Sequence, residues 1–161
     1  MQSQLRKEEI YQKVKQDLDA IFSSRNSGLM RLSTIACVLK QSFPWFYWVG
    51  FYLWDDKLGA LVVGPYQGTL GCLEIPLGKG VCGSSLKDGR TYIVNNVHNF
   101  SNHIACDSKT NSEVVVPLIS EQGNKLGVLD IDSILFDSFD DCDKKNLEEI
   151  CHKYLVPFLP I

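Results

Sequence analysis

Several absences narrow the reading of this 161-residue chain. No Lys/Arg cluster interrupts a formal net charge of −3, so nothing marks a footprint for a phosphate backbone, and no nucleic-acid partner is expected. No apolar run approaches the ~20 residues of a membrane-spanning helix. The opening MQSQLRKEEIYQK lacks the apolar core and small-residue cleavage site of a secretory signal. A cytoplasmic location with no membrane association is therefore the expectation. No internal repeat or low-complexity tract divides the chain, and its length is that of one domain, so residues 1–161 are read as a single unit. No C-x2–4-C pair is present, and the spacings among the polar-context cysteines are not those of a compact zinc site, so no metal is expected.

What is present is six cysteines, in a chain expected to live where thiols stay reduced unless chemistry oxidises them. Three of them, Cys37, Cys142 and Cys151, fall on apolar helical stripes and read as packing. The other three, Cys72, Cys82 and Cys106, lie between Gly64 and Glu113 among glycines, polar residues and histidines. A structural cysteine behaves as a small hydrophobe, so this is the setting of a thiol that must meet a partner.

Apolar residues at three- and four-residue intervals predict helices over about Leu5–Phe22 and Ser27–Gln41, the second with Leu29, Leu32, Ile35, Ala36 and Leu39 inward. The aromatic run Phe46–Trp54 reads as a strand. Alternation puts Trp48, Gly50 and Tyr52 on one face, either the wall of a small-molecule pocket or simply an aromatic core. Strands follow at Leu61–Pro65 and Cys72–Leu77. The sequence Gly78-Lys79-Gly80-Val81-Cys82-Gly83 matches G-x-G-x-x-G literally, but no parallel βαβ unit or later acidic residue accompanies it, so it is not read as a dinucleotide site. It reads instead as a glycine-rich turn opening a helix over Gly80–Lys87. The free N–H groups there, those of Val81 and Cys82 among them, suit a small carboxylate, and the helix dipole is expected to favour a Cys82 thiolate.

A short strand Thr91–Val94 precedes a polar stretch, Asn95–Thr110, that holds His98, His103 and Cys106. Two hairpin strands, Ser112–Ser120 and Leu126–Ser133, come next. In the second, Val128, Asp130 and Asp132 share a face, and two aspartates on one face of a strand are unusual enough to need a reason. A solvent-facing strand end is one; a site for a cation, or a carboxylate whose proton is used, is the other. A final helix is expected from an N-cap at Ser138. Short hairpin-joined strands bracketed by helices give an α+β fold with a mainly antiparallel sheet.

The chemistry that best fits these residues is thiol redox. A thiolate attacks a soft electrophilic atom, is left oxidised, and condenses with a second thiol to a disulfide. A nearby acid supplies the proton that lets oxygen leave as water, and Glu113, Asp130 and Asp132 are the candidates.

The segments GPYQG, IPLGKGVCG, HIACD, NSEVVVPL and LGVLDIDS, in this order and spacing, closely resemble the free methionine-(R)-sulfoxide reductase family, stand-alone GAF-domain enzymes. The resemblance runs from about Trp48 to Ser133. It implies a GAF-like α+β fold with a central, mainly antiparallel sheet of about six strands and helices packed on one side. It implies free L-methionine (R)-sulfoxide as substrate, thioredoxin as reductant, and no cofactor. By position, Cys106 matches the family's catalytic cysteine, Cys72 its resolving partner, and Cys82 a third cysteine that serves as an alternative partner. Glu113, Asp130 and Asp132 match carboxylates that hold the substrate and assist protonation. Trp48 and Tyr52 match aromatics at the methyl and sulfoxide end. A homodimer is compatible with the sequence. Two other readings are a ligand-binding GAF module without catalysis, and a redox-sensing thiol protein without a small substrate.

Overall fold

The computed structural model describes residues 2–160. Helices α1 (Gln2–Ile21) and α2 (Gly28–Ser42) precede strands β1 (Trp48–Asp55), β2 (Ala60–Gln67) and β3 (Glu74–Pro76). Helix α3 (Gly80–Asp88), strands β4 (Tyr92–Val94), β5 (Ser112–Ile119) and β6 (Lys125–Ser133), and helix α4 (Asp141–Tyr154) complete the order. The strands form one six-stranded sheet in the order β3-β2-β1-β6-β5-β4, every neighbouring pair antiparallel. Among the described residues no helix is long and apolar enough to cross a membrane.

Strand alternation sorts the interior into two cores. Val49, Phe51, Val114, Val116, Leu129 and Ile131 point to one face and are covered by Tyr11 and Leu18 of α1, Leu32 and Leu39 of α2, and Leu147 and Ile150 of α4. Trp48, Tyr52, Val115 and Val128 point to the other, where they meet Val81, Cys82 and Leu86 of α3. The three long helices thus share one side, as expected. The short α3 takes the opposite side, because its Val81 and Leu86 have only the second face left to cover.

The element ends differ from expectation in ways that have local causes. In α2, Ser27 is the N-cap and its hydroxyl accepts from the Met30 amide. Leu29 is not inward, however, but exposed. The helix is instead turned to bury Arg31, whose guanidinium donates to the carbonyls of Ser23, Asn26 and Tyr154 and lies 3.4 Å from the Phe158 ring centroid. In α4 the N-cap is Asp140 rather than Ser138. Asp140 and Asp143 form a reciprocal capping box, while the Ser138 hydroxyl donates to Ser133 Oγ. Lys7 of α1 then bridges Asp140 and the fully buried Asp143, which also accepts from the Tyr11 hydroxyl. Strand β3 is shorter than expected and starts at Glu74, which leaves Cys72 on an irregular connection.

Candidate functional site

The site lies on the α3 face, and the register of three strands builds its floor. Trp48 of β1 stands opposite Asp132 of β6, which stands opposite Glu113 of β5. One step along, Gly50 faces Asp130 and Asp130 faces Val115; one further, Tyr52 faces Val128. Directly paired residues share a face, so the two aromatics and three carboxyls converge. Gly50 is required by this crowding: a Cβ there would collide with Tyr66 and the Trp48 ring. Trp48 stacks between Tyr52 and Tyr66, with ring centroids 5.8 and 5.2 Å away.

Above this floor sit two loops that come from different margins of the sheet. Cys72 is on the β2–β3 connection and Cys106 on the β4–β5 connection, and the two form a disulfide with a Cα–Cα distance of 5.2 Å. Asp107 buttresses the junction by accepting from the Tyr47 hydroxyl at 3.0 Å and the Thr69 hydroxyl at 2.7 Å. The indole of Trp48 donates to the Thr69 carbonyl at 2.9 Å. Gly71 lies on the aromatic rings, and a Cβ there would sit 2.9 Å from the Tyr52 hydroxyl oxygen. The carbonyl of Asn102, in the Cys106 loop, accepts from the Gly80 amide at the start of α3. The amides of Val81 and Cys82, in the first turn of α3, have no intrahelical partner.

The chamber holds a cavity of about 40 Å³. Its lining brings together Trp48, Tyr52, Val81, Cys82, Cys106, Glu113, Asp130 and Asp132, the residues singled out from the sequence apart from Cys72, which lies behind Cys106. Sequence reasoning missed His103, Thr110 and Asp107. His103 lies within the HIACD segment, in the polar stretch before β5; its position here is set by loop folding.

The chamber is an acidic cluster without a counter-cation. Burial, and then the charges of Asp130 and Asp132, push the Glu113 carboxyl well above its ordinary range. Burial likewise raises Asp130, to about 6, and Asp132 well above the usual carboxylate range. Glu113 and Asp130 are close enough to share a proton, while Asp130 Oδ1 is buried without any hydrogen-bond partner. His103 Nε2 is 3.8 Å from Glu113 Oε2. Burial and the neighbouring His98 lower its pKa, so at neutral pH this is a contact with an uncharged imidazole and not an ion pair.

Cys82 reverses an expectation. It does sit in the first turn of α3, but its thiol is pushed well up, first by burial and then by the charges of Asp130, Glu113 and Asp132. A helix terminus contributes about 0.3–1 kcal/mol, too little against full desolvation beside carboxylates. Cys82 is a free, protonated thiol whose Sγ donates to Glu113 Oε1 at 3.9 Å. Its sulfur and carboxylate oxygens of Glu113 and Asp130 lie within 4.8 Å of one another, a mixed donor set able to hold a cation.

The curled six-stranded sheet, with helices on one side and a roofed chamber on the other, defines a GAF domain. The GAF domain profile matches residues 8–153, and the chain belongs to that family. It is 42% identical over 144 residues to GAF domain-containing protein A of Dictyostelium discoideum, covering 89% of each chain. It is 38% identical over 146 residues to the free methionine-R-sulfoxide reductase of Escherichia coli, covering 91% of this chain and 87% of that one. Its fold superposes on the crystallised free methionine-R-sulfoxide reductase of Neisseria meningitidis in complex with its substrate, with a TM-score of 0.84 and 42% identity over 88% of this chain and 84% of that one. Within the GAF domains, the chain falls with the free methionine-R-sulfoxide reductases.

Proposed function

We propose that this chain reduces free methionine (R)-sulfoxide to methionine in the acidic chamber, and that the Cys72–Cys106 disulfide is the oxidised enzyme left after turnover. The observation that carries this reading is that disulfide, formed by a cysteine that lines a chamber walled by carboxyls.

The substrate brings what the chamber lacks. Its ammonium is the missing cation, and Asp130 Oδ1, unpartnered, together with Asp132, accepts it. Its carboxylate takes the Val81 and Cys82 amides at the start of α3. The methyl-sulfur end lies on Trp48 and Tyr52. A methionine sulfoxide within a peptide lacks both free termini, and a chamber that pairs those termini rejects it.

In the reaction the Cys106 thiolate attacks the sulfoxide sulfur. Glu113, whose protonated form is favoured by burial and the neighbouring carboxylates, donates its proton to the sulfoxide oxygen. The oxygen passes to Cys106 as sulfenic acid and methionine leaves. Cys72 then attacks Cys106, forming the disulfide and releasing water. Thioredoxin supplies two electrons and two protons to restore both thiols. Cys82 keeps its thiol in this state; its hydrogen bond to Glu113 makes it a positioning residue for the acid, and an alternative disulfide partner only if the Cys106 loop shifts.

The deciding experiment is a thioredoxin-coupled assay of NADPH consumption with free (R)-sulfoxide, free (S)-sulfoxide and a peptide-borne sulfoxide. Consumption only with the free (R) form is expected. Consumption with none of them, alongside tight binding of another small ligand such as a cyclic nucleotide, would replace the reductase with a sensing module.

A further inference from the structure

Two leucines beside Cys72 have no role in this chemistry, Leu70 at the rim of the chamber and Leu73 outside it. Leu70 is 83% and Leu73 77% exposed, the most exposed large hydrophobic side chains among the described residues. They stand on either side of Cys72. The loop that carries them is not loose. Trp48 holds the Thr69 carbonyl, Asp107 holds the Thr69 hydroxyl, the Val63 amide donates to the Leu73 carbonyl at 3.0 Å, and Gly71 rests against Tyr52 and Trp48. The backbone is pinned while the leucines are held outward. From Tyr66 to Leu73 the chain carries no charged residue, and the exposed Glu74 follows directly, so the leucine pair itself offers apolar surface.

The two cysteines differ in their surroundings. Cys106 lines the chamber and Cys72 does not. A thiolate attacks a disulfide sulfur in line, from the side opposite the sulfur it expels. Cys106 contributes to the lining of the chamber, whose free space of about 40 Å³ holds only a few waters. Cys72 is instead flanked in the chain by the two exposed leucines.

We propose that Leu70 and Leu73 form the docking platform for a protein dithiol, and that its thiolate attacks Cys72 rather than Cys106. A small thiol needs no platform; two exposed apolar side chains flanking the attacked cysteine fit a protein that presents its nucleophilic cysteine beside its own apolar surface. The proposal rests on the Cys72–Cys106 disulfide being the form that turnover leaves behind. The bond between the incoming sulfur and Cys72 forms as the Cys72–Cys106 bond breaks, and Cys106 departs as thiolate. The second thiol of the partner then attacks its own sulfur in the mixed disulfide. That expels the Cys72 thiolate and leaves the partner oxidised by two electrons, its two protons passing to Cys72 and Cys106.

The test uses pre-oxidised full-length protein and no methionine sulfoxide, so it stands or falls apart from the identity of the substrate. Thioredoxin with its second active-site cysteine changed to serine traps the mixed disulfide, and peptide mass mapping locates it. A link to Cys72 is expected; a link to Cys106 overturns the assignment. In parallel, Leu73→Asp should raise the KM for thioredoxin tenfold or more, leave reduction by dithiothreitol within twofold of wild type, and be largely rescued by Leu73→Met. An unchanged KM for thioredoxin, or an equal loss with dithiothreitol, overturns the platform. So does sedimentation showing that Leu73→Asp splits a dimer, since the leucine pair would then belong to a second copy of this chain.

Discussion

Asp130→Asn should make the substrate-free protein more stable at neutral pH while crippling it as an enzyme. Asp130 is buried, keeps one oxygen without a partner, and is raised from 3.8 to about 6. A carboxyl whose folded-state pKa is raised holds its proton more tightly in the fold than in the unfolded chain. The associated stability is therefore complete below about pH 4 and is lost as pH rises through about 6. Two pKa units at 1.36 kcal/mol each amount to about 3 kcal/mol lost in the wild type by pH 7. Asparagine is close in shape, still accepts the Glu113 proton, and has no charge to desolvate. For a chain of this size, 3 kcal/mol corresponds to a rise in Tm of about 6–12 °C. The measurement is calorimetry of the oxidised wild type and variant from pH 4 to pH 8. The two should melt together near pH 4 and separate progressively to pH 7. A difference in Tm that does not change with pH, or a variant less stable at pH 7, refutes the reasoning. The same substitution removes an ammonium partner and should raise the KM for free sulfoxide roughly 10–100-fold.

Further outcomes follow from the same geometry. Cys106→Ser should abolish sulfoxide reduction, whereas Cys72→Ser should release about one methionine per enzyme and then stall without small thiols; multiple turnover by Cys106→Ser in the coupled assay would show that another sulfur attacks. The oxidised protein, whose chamber of about 40 Å³ has room for roughly three waters, should give no heat with free methionine sulfoxide by titration calorimetry, while the reduced protein should bind it. Glu113→Gln should keep substrate binding within a few-fold but lower kcat about 100-fold or more, because the proton for the departing oxygen is gone; a KM effect without a kcat effect would reassign Glu113 to binding. Lys7→Met leaves Asp143 buried without its cation and should cost about 3 kcal/mol in urea denaturation at pH 7, with no effect on the site across the sheet.

How far the sequence alone reaches depends on how local each cause is. The shared face of Asp130 and Asp132 was legible because the side-chain period of a strand is two and leaves no choice. The convergence of Trp48 and Tyr52 with them needed the strand pairing as well. The resemblance to a known family implied Glu113 and the two cysteines; nothing in the spacing of Cys72 and Cys106, 34 residues apart, indicates that they meet. The thiolate expected at Cys82 failed because the helix end is a local feature, whereas three carboxyls brought in by β5 and β6 are not. Leu29 was misplaced because one buried cation, Arg31, turned the helix face. Ser138 and Asp140 are both good caps two residues apart, and only Asp143, completing the reciprocal pair, decides between them. The bracing of the cysteine loops by Asp107 has no sequence signature, since its partners lie 38 and 60 residues away.

Cys72 and Cys106 hang from opposite borders of a six-stranded sheet, so their bond works as a buckle drawn across it. Tethering the unfolded chain over 34 residues is worth about 4 kcal/mol of stability. The oxidised molecule is thereby the tougher one, and on the proposed mechanism every cycle of catalysis would fasten and unfasten it. In a cell short of reducing power the population would drift toward the heat-resistant form, making its melting temperature a gauge of the reductant supply.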